Sequence, residues 1–201
     1  SLRLVGSEMC IRDSAWGALN GGDRVGGLVF NEREHREIRP RRSRRTVLAL
    51  LSELEAYNAE LPIEQPVSPN TFAHMLNNLR RIARPGSSLF LVSDFRGAET
   101  EDARELLFQL SQHTEITAIK CSDPMEARLP RGGHYAVTDG TRRSELNTAD
   151  RALRKRYRSR LKAKDEGLAR DMLRLGIPLL QARTDLSPYR LLQDYYGERR
   201  R

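Results

Sequence analysis

The sequence predicts an α/β protein with an open, mainly parallel sheet and helices on both faces. From Ala15 to the end of the chain, apolar segments of strand length alternate with segments of helical periodicity. The segments 25–30 and 88–93 contain no charged residue, which is typical of strands buried on both faces of a parallel sheet. The 201 residues, 38% hydrophobic and 31% charged, suffice for one domain with a core and argue against a disordered chain.

The first 14 residues are predicted not to belong to the native domain. The chain begins with Ser1, its first methionine is Met9, and residues 7–14 are similar to translated adapter sequence that recurs at the edges of metagenomic contigs. We therefore assign 1–14 as a non-native segment and 15–201 as the C-terminal part of a single domain whose upstream part is missing. An ordinary disordered N-terminus is the alternative.

The first half of the domain predicts two strands and two helices. Residues 24–30 follow an Asn-Gly-Gly-Asp turn and form an apolar strand. Charges surround Ile38 in 34–39 and Pro40 follows, which is typical of an edge strand. Leucines and a valine spaced along one face predict a helix over 43–57, and three prolines predict a loop over 61–69. A second helix follows over 71–83, ended by Pro85-Gly86.

The second half continues the alternation. Residues 88–93 are the best candidate for a central strand, and acidic residues open a helix over 99–112. A strand over 115–121 and a hairpin of 135–137 and 142–146 around Asp139-Gly140 come next. The remaining elements are an arginine-rich helix over 149–175, a strand over 179–182 and a helix over 189–196.

Asp94 is the strongest candidate for a functional residue. It directly follows the predicted central strand, and ligands of open α/β sheets bind outside the carboxyl ends of the strands. A Mg²⁺ ion needs several oxygen ligands, so partners must come from Ser93, Thr71, Ser68 and Asp123. The equal alternative is that Asp94 only caps the loop that follows it.

Charge and composition bear on whether the protein binds nucleic acid, spans a membrane or depends on disulfides. The net charge is +8, and all basic residues except Lys120, Lys155, Lys162 and Lys164 are arginines. Basic clusters over 39–45 and 151–160 allow a nucleic-acid-binding protein as an alternative, although the second cluster covers several faces of one helix and no recognition motif accompanies either. No apolar segment is long enough to cross a bilayer, and two cysteines are too few for a disulfide framework, so we expect a cytoplasmic protein.

Several segments together resemble one bacterial family. They are Gly22–Phe30 with Ile38–Arg45, Leu89–Phe95, the strand over 116–124 with its Ser-Asp-Pro exit, and Asp185–Tyr189 with the last helix. Their order and spacing resemble the domain of unknown function 58 family, a branch of the von Willebrand factor A-like fold. The resemblance runs from Gly21 to the end of the chain.

The resemblance implies a non-enzymatic interaction module. Members of the family are typically encoded beside an AAA+ ATPase of the MoxR type, and the pair is thought to assist the assembly or maturation of client proteins. The metal-ion-dependent adhesion site of this fold takes an Asp-x-Ser-x-Ser loop, a threonine and a later aspartate. Asp94 matches that aspartate and Thr71 the threonine, with Asn70 as an alternative, while the Asp-x-Ser-x-Ser loop is absent. The resemblance therefore implies that the full-length protein could bind Mg²⁺, and the missing Asp-x-Ser-x-Ser loop makes binding by this chain doubtful.

The resemblance also implies that the first strand of the fold is missing. The strands at 24–30 and 88–93 would then lose a shared neighbour, which leaves backbone donors and acceptors unpaired. We expect the isolated chain to be marginally stable or to aggregate. An Mg²⁺-dependent phosphoryl-transfer enzyme is a further alternative, but the sequence shows no Asp-x-Asp pair or histidine dyad beside Asp94.

Overall fold

The computed structural model describes residues 5–31, 34–59, 71–127, 129–130, 132–138 and 143–198. The helices are α1 (Val5–Asn20), α2 (Arg44–Ala59), α3 (Thr71–Ile82), α4 (Glu101–Ser111), α5 (Arg151–Arg174) and α6 (Pro188–Glu198). The strands are β1 (Val25–Phe30), β2 (His35–Arg41), β3 (Ser88–Ser93), β4 (Glu115–Ser122), β5 (His134–Thr138), β6 (Arg143–Asn147) and β7 (Leu179–Arg183).

The predicted order of strands and helices is confirmed, with small shifts at the ends. The long helix begins at Arg151 because the Asp150 carboxylate accepts a hydrogen bond from the backbone N–H of Ala152 at 2.8 Å. The edge strand continues past Pro40, which an edge tolerates because its outer side makes no ladder bonds. The predicted loop over 61–69 and the turn at Asp139-Gly140 lie outside the described residues.

A parallel three-stranded sheet in the order β3-β4-β7 forms the centre of the fold. β4 lies in the middle, so Leu91 is opposite Ala118 on one side and Leu179 is opposite Ala118 on the other. β1 and β2 form an antiparallel pair, as do β5 and β6. The α/β class with a parallel sheet is therefore confirmed.

The predicted sheet is divided into two parts. Among the described strands, β1 pairs with β2 alone and β3 pairs with β4 alone, and no strand lies between β1 and β3. Leu28 and Phe30 of β1 nevertheless pack against the core around β3. The two sheets therefore share a hydrophobic core although one backbone edge of β1 and one of β3 make no ladder.

Helices cover both faces of the parallel sheet, and β4 shows this by alternation. Ile116 and Ala118 point into the core formed with α3 and α4. Ile119 and Cys121 point to the opposite face, where they pack with Cys10 of α1 and with α6. This two-sided burial explains why apolar residues of β4 lie on both faces of the strand.

The helix α1 runs through the predicted boundary at residue 14. Residues 5–14 continue the helix that contains Ala15, and the Cys10 side chain is fully buried. The non-native origin of 1–14 stays a prediction, but Cys10 packs against Ile119 and Cys121 of β4 and so covers part of the sheet. None of the described helices is both long enough and apolar enough to span a membrane.

Candidate functional site at the carboxyl ends of the strands

Asp94 lies in the loop directly after β3, and its side chain is 55% exposed. Its carboxylate accepts a hydrogen bond from the backbone N–H of Arg96 at 3.0 Å, and the Arg96 Nε lies 3.7 Å from the second oxygen. Ser93 Oγ accepts a hydrogen bond from the backbone N–H of Phe95 at 3.1 Å. Phe95 has a φ of 57°, in the left-handed region that non-glycine residues seldom adopt. The loop is thus fixed by local bonds, and Asp94 does cap it.

Thr71, the second predicted site residue, is the first residue of α3 and is half-buried. The next residue, Phe72, packs on Phe95 with ring centroids 5.5 Å apart. Both rings are almost completely buried. The contact brings the start of α3 beside the loop that carries Asp94, so both predicted residues lie at the same edge. Ser68 and Asn70 lie outside the described residues.

Asp123, a third candidate, has both carboxylate oxygens in hydrogen bonds to neighbouring protein groups. Its Oδ1 accepts a hydrogen bond from the backbone N–H of Met125 at 2.7 Å, and its Oδ2 accepts one from the hydroxyl of Thr184 at 2.9 Å. These bonds join the exits of β4 and β7. The sequence analysis did not single out Thr184, although its position just past a predicted strand was a usable signal.

The described residues do not by themselves fit a Mg²⁺ site. An octahedral Mg²⁺ ion needs more oxygen ligands than the Asp94 carboxylate supplies, and the guanidinium beside it places a positive charge where the cation would be. No group of three or more histidine, cysteine, aspartate or glutamate side chains able to hold a metal occurs among the described residues. We therefore derive no step through a bound metal.

Two buried thiols lie behind this edge. Burial raises the pKa of Cys121 to about 12, with smaller contributions from Cys10 and from the Asp94 carboxylate. Burial likewise raises the pKa of Cys10 to about 11, and Asp13 adds to the shift. Both side chains are therefore protonated at neutral pH, and neither is an activated nucleophile.

A partly buried ion pair joins the sheet to α5. Lys120 of β4 is nearly buried and donates a hydrogen bond to Asp165 of α5. One sequence signal for this contact was the lysine in the predicted strand 115–121. The position of its partner depends on how α5 packs.

Comparison with known proteins identifies the family. The family model described as "Protein of unknown function DUF58" matches residues 12–167. The chain belongs to this family. The resemblance drawn from the sequence is therefore confirmed. No curated protein matches the chain.

Two solved structures share the fold of this DUF58 chain. One is the conserved hypothetical protein BatB from Bacteroides thetaiotaomicron, with a TM-score of 0.57 and 14% identity over 98% of this chain and 87% of that one. The other is an aerotolerance-related membrane protein from Bacteroides fragilis, with a TM-score of 0.53 and 12% identity over 99% of this chain and 89% of that one. Both agree with the predicted von Willebrand A-like α/β fold.

Proposed function

We propose that this DUF58 chain is a non-enzymatic, von Willebrand A-like interaction module that binds an AAA+ ATPase of the MoxR type during the assembly or maturation of client proteins. The proposal rests on family membership and on one structural observation. Asp94 is an exposed carboxylate presented at the sheet edge where ligands of open α/β sheets bind. Because the partner needs ATP, the complex would form in the cytoplasm.

The rigidity of the loop supports a binding role for Asp94. The buried Phe72–Phe95 contact and the two bonds to the backbone N–H groups of Phe95 and Arg96 fix the loop before any partner arrives. A site ordered in advance loses less conformational entropy on binding. A Mg²⁺ ion between Asp94, Thr71 and a partner carboxylate would require additional ligands beyond the described residues.

The test is a binding titration of the purified chain with the MoxR-type ATPase from the same locus, in the presence and absence of Mg²⁺. We expect saturable binding, and we expect Asp94→Asn to weaken it at least tenfold. Asp123→Asn is the matched control, because it removes the same charge at the neighbouring strand exit, where the carboxylate is already occupied by Met125 and Thr184. Equal loss in both variants, or no binding by the parent chain, would contradict the proposal.

A further inference from the structure

The first half of α5 carries a concentration of positive charge that plays no part in the proposed site at the carboxyl ends of the strands. Residues 151–164 contain eight basic residues and no acidic one. Apart from the half-buried Arg154, these basic side chains are exposed. Lys164 lies 3.7 Å from Glu99 and Lys162 lies 3.7 Å from Glu166, while Arg151, Lys155 and Arg158 make no ion pair with any described residue.

The helix sorts most of these cations into two rows. Row A consists of Arg151, Lys155, Arg158 and Lys162, and row B consists of Arg156, Arg160 and Lys164. At about 100° per residue around the helix axis, the four side chains of row A fall within about 60° of one another, and the three side chains of row B fall within about 80°. The two rows lie on opposite flanks of the helix.

Small side chains fill the strip between the rows. Ala152, Ser159 and Ala163 lie on the most exposed side of the helix and are themselves exposed. The opposite side is half-buried, where Tyr157 donates a hydrogen bond to the backbone carbonyl of Glu126 at 2.6 Å. The helix therefore presents a narrow uncharged strip with a positive wall on each side.

This arrangement opposes the stability of the free helix. Arg151 lies in the first turn of α5, where a cation is unfavourable because the helix dipole is positive there. Like charges four residues apart, such as Arg151 with Lys155 and Arg156 with Arg160, repel each other as well. A bound polyanion would relieve both effects.

We propose that this half of α5 is a docking surface for the major groove of duplex DNA. The major groove is about 12 Å wide and admits an α-helix, with the phosphate backbones as negative walls on both sides. Rows A and B face these two walls, and the small side chains between them allow close approach. A flat anionic membrane would reach one flank at a time and would favour large apolar side chains in the strip. The deep and narrow major groove of A-form RNA would exclude the helix.

The test measures binding of the full chain to a fluorescein-labelled 20-base-pair DNA duplex of mixed sequence between 50 and 200 mM salt. With seven phosphate contacts, log K should fall against log salt with a slope of about −6. The row A variant Arg151→Gln/Lys155→Gln/Arg158→Gln should reduce the slope by about 3. The row B variant Arg156→Gln/Arg160→Gln should reduce it by about 2. Both variants remove repulsion, so they should melt no lower than the parent chain.

The matched control removes three exposed cations elsewhere. Arg24→Gln/Arg81→Gln/Arg84→Gln removes exposed arginines outside both basic clusters and changes the net charge as much as the row A variant, so the slope should stay within one unit of the parent value. An equal effect of the control, or equal binding to an RNA duplex, a polyglutamate peptide or vesicles with 30% phosphatidylserine, would overturn the proposal. Because Asp94→Asn should leave DNA binding unchanged, failure here is distinguishable from failure of the proposed function.

Discussion

The ion pair between Lys120 of β4 and Asp165 of α5 gives an asymmetric prediction for stability. The Lys120 side chain is 11% exposed, whereas that of its partner Asp165 is 43% exposed. Removing the aspartate leaves a nearly buried ammonium without a counter-charge. Removing the lysine leaves a carboxylate that water can reach. Asp165→Ala should therefore destabilise the chain much more than Lys120→Met.

The magnitudes follow from this exposure. Breaking a fully buried pair from one side costs about 3–5 kcal/mol, and the remaining access of Lys120 to water lowers the expected cost of Asp165→Ala to roughly 2–4 kcal/mol. Lys120→Met should cost less than about 1 kcal/mol, because a hydrophobic isostere replaces the charge. At about 2–4 °C per kcal/mol for a chain of this size, Asp165→Ala should lower the Tm by roughly 4–16 °C. Alanine favours helices, so helix propensity does not explain such a loss.

The assay is thermal or urea unfolding followed by circular dichroism at neutral pH. Glu166→Gln serves as the control, because it breaks the exposed pair with Lys162 on the same helix and should change stability by no more than about 1 kcal/mol. If Lys120→Met costs as much as Asp165→Ala, or if Asp165→Ala matches the control, the argument from unequal exposure is wrong.

Four further predictions concern backbone packing, the reactivity and titration of the two thiols, and the sheet edges. A Cβ at Gly26 would lie 2.6 Å from the backbone oxygen of Ile38, whereas a Cβ at Gly27 would lie 2.6 Å from a methyl group of the flexible Leu50 side chain. Because backbone yields less easily than a side chain, Gly26→Ala should lower the urea midpoint of unfolding more than Gly27→Ala. The reverse order would contradict the close approach of the two backbones. Since their pKa values are raised to about 11 and about 12, Cys10 and Cys121 should resist iodoacetamide at pH 8 until urea unfolds the chain, and rapid labelling without urea would show that they are accessible. The raised pKa values also make stability depend on pH, because the unfolded chain loses the thiol protons at a lower pH than the folded chain does. The contribution of the two protonated thiols to stability is complete below pH 9 and declines as the pH rises towards 11–12. Urea unfolding should therefore show a lower midpoint at pH 10.5 than at pH 7.5. Finally, the unpaired edges of β1 and β3 should cause concentration-dependent self-association in size-exclusion chromatography, and a monomer with a sharp cooperative melt would contradict this.

Local patterns predicted the elements of this fold because each depends on residues close in the sequence. The β3 strand ends at Ser93 as predicted, since its apolar run stops at Asp94. Membership of the DUF58 family was indicated by the resemblance of several short segments in order. The position of Asp94 at the carboxyl end of β3 followed from the strand pattern, whereas Thr71 was matched through the family resemblance, and the role of both residues stays a prediction.

The sequence by itself determined the α/β class and the arginine-rich composition of α5, because composition and periodicity are properties of the chain. The family followed from the resemblance of several segments in order. Only the tertiary structure decided the Phe72–Phe95 contact, the Lys120–Asp165 pair and the occupation of Asp123 by Thr184. These contacts join residues distant in the sequence, so they depend on how helices pack on the sheet. The packing of α5 likewise decides which side of the helix is exposed, and so shows that its cations lie on both sides of an exposed strip. From the sequence alone, the same cations were described only as covering several faces of one helix.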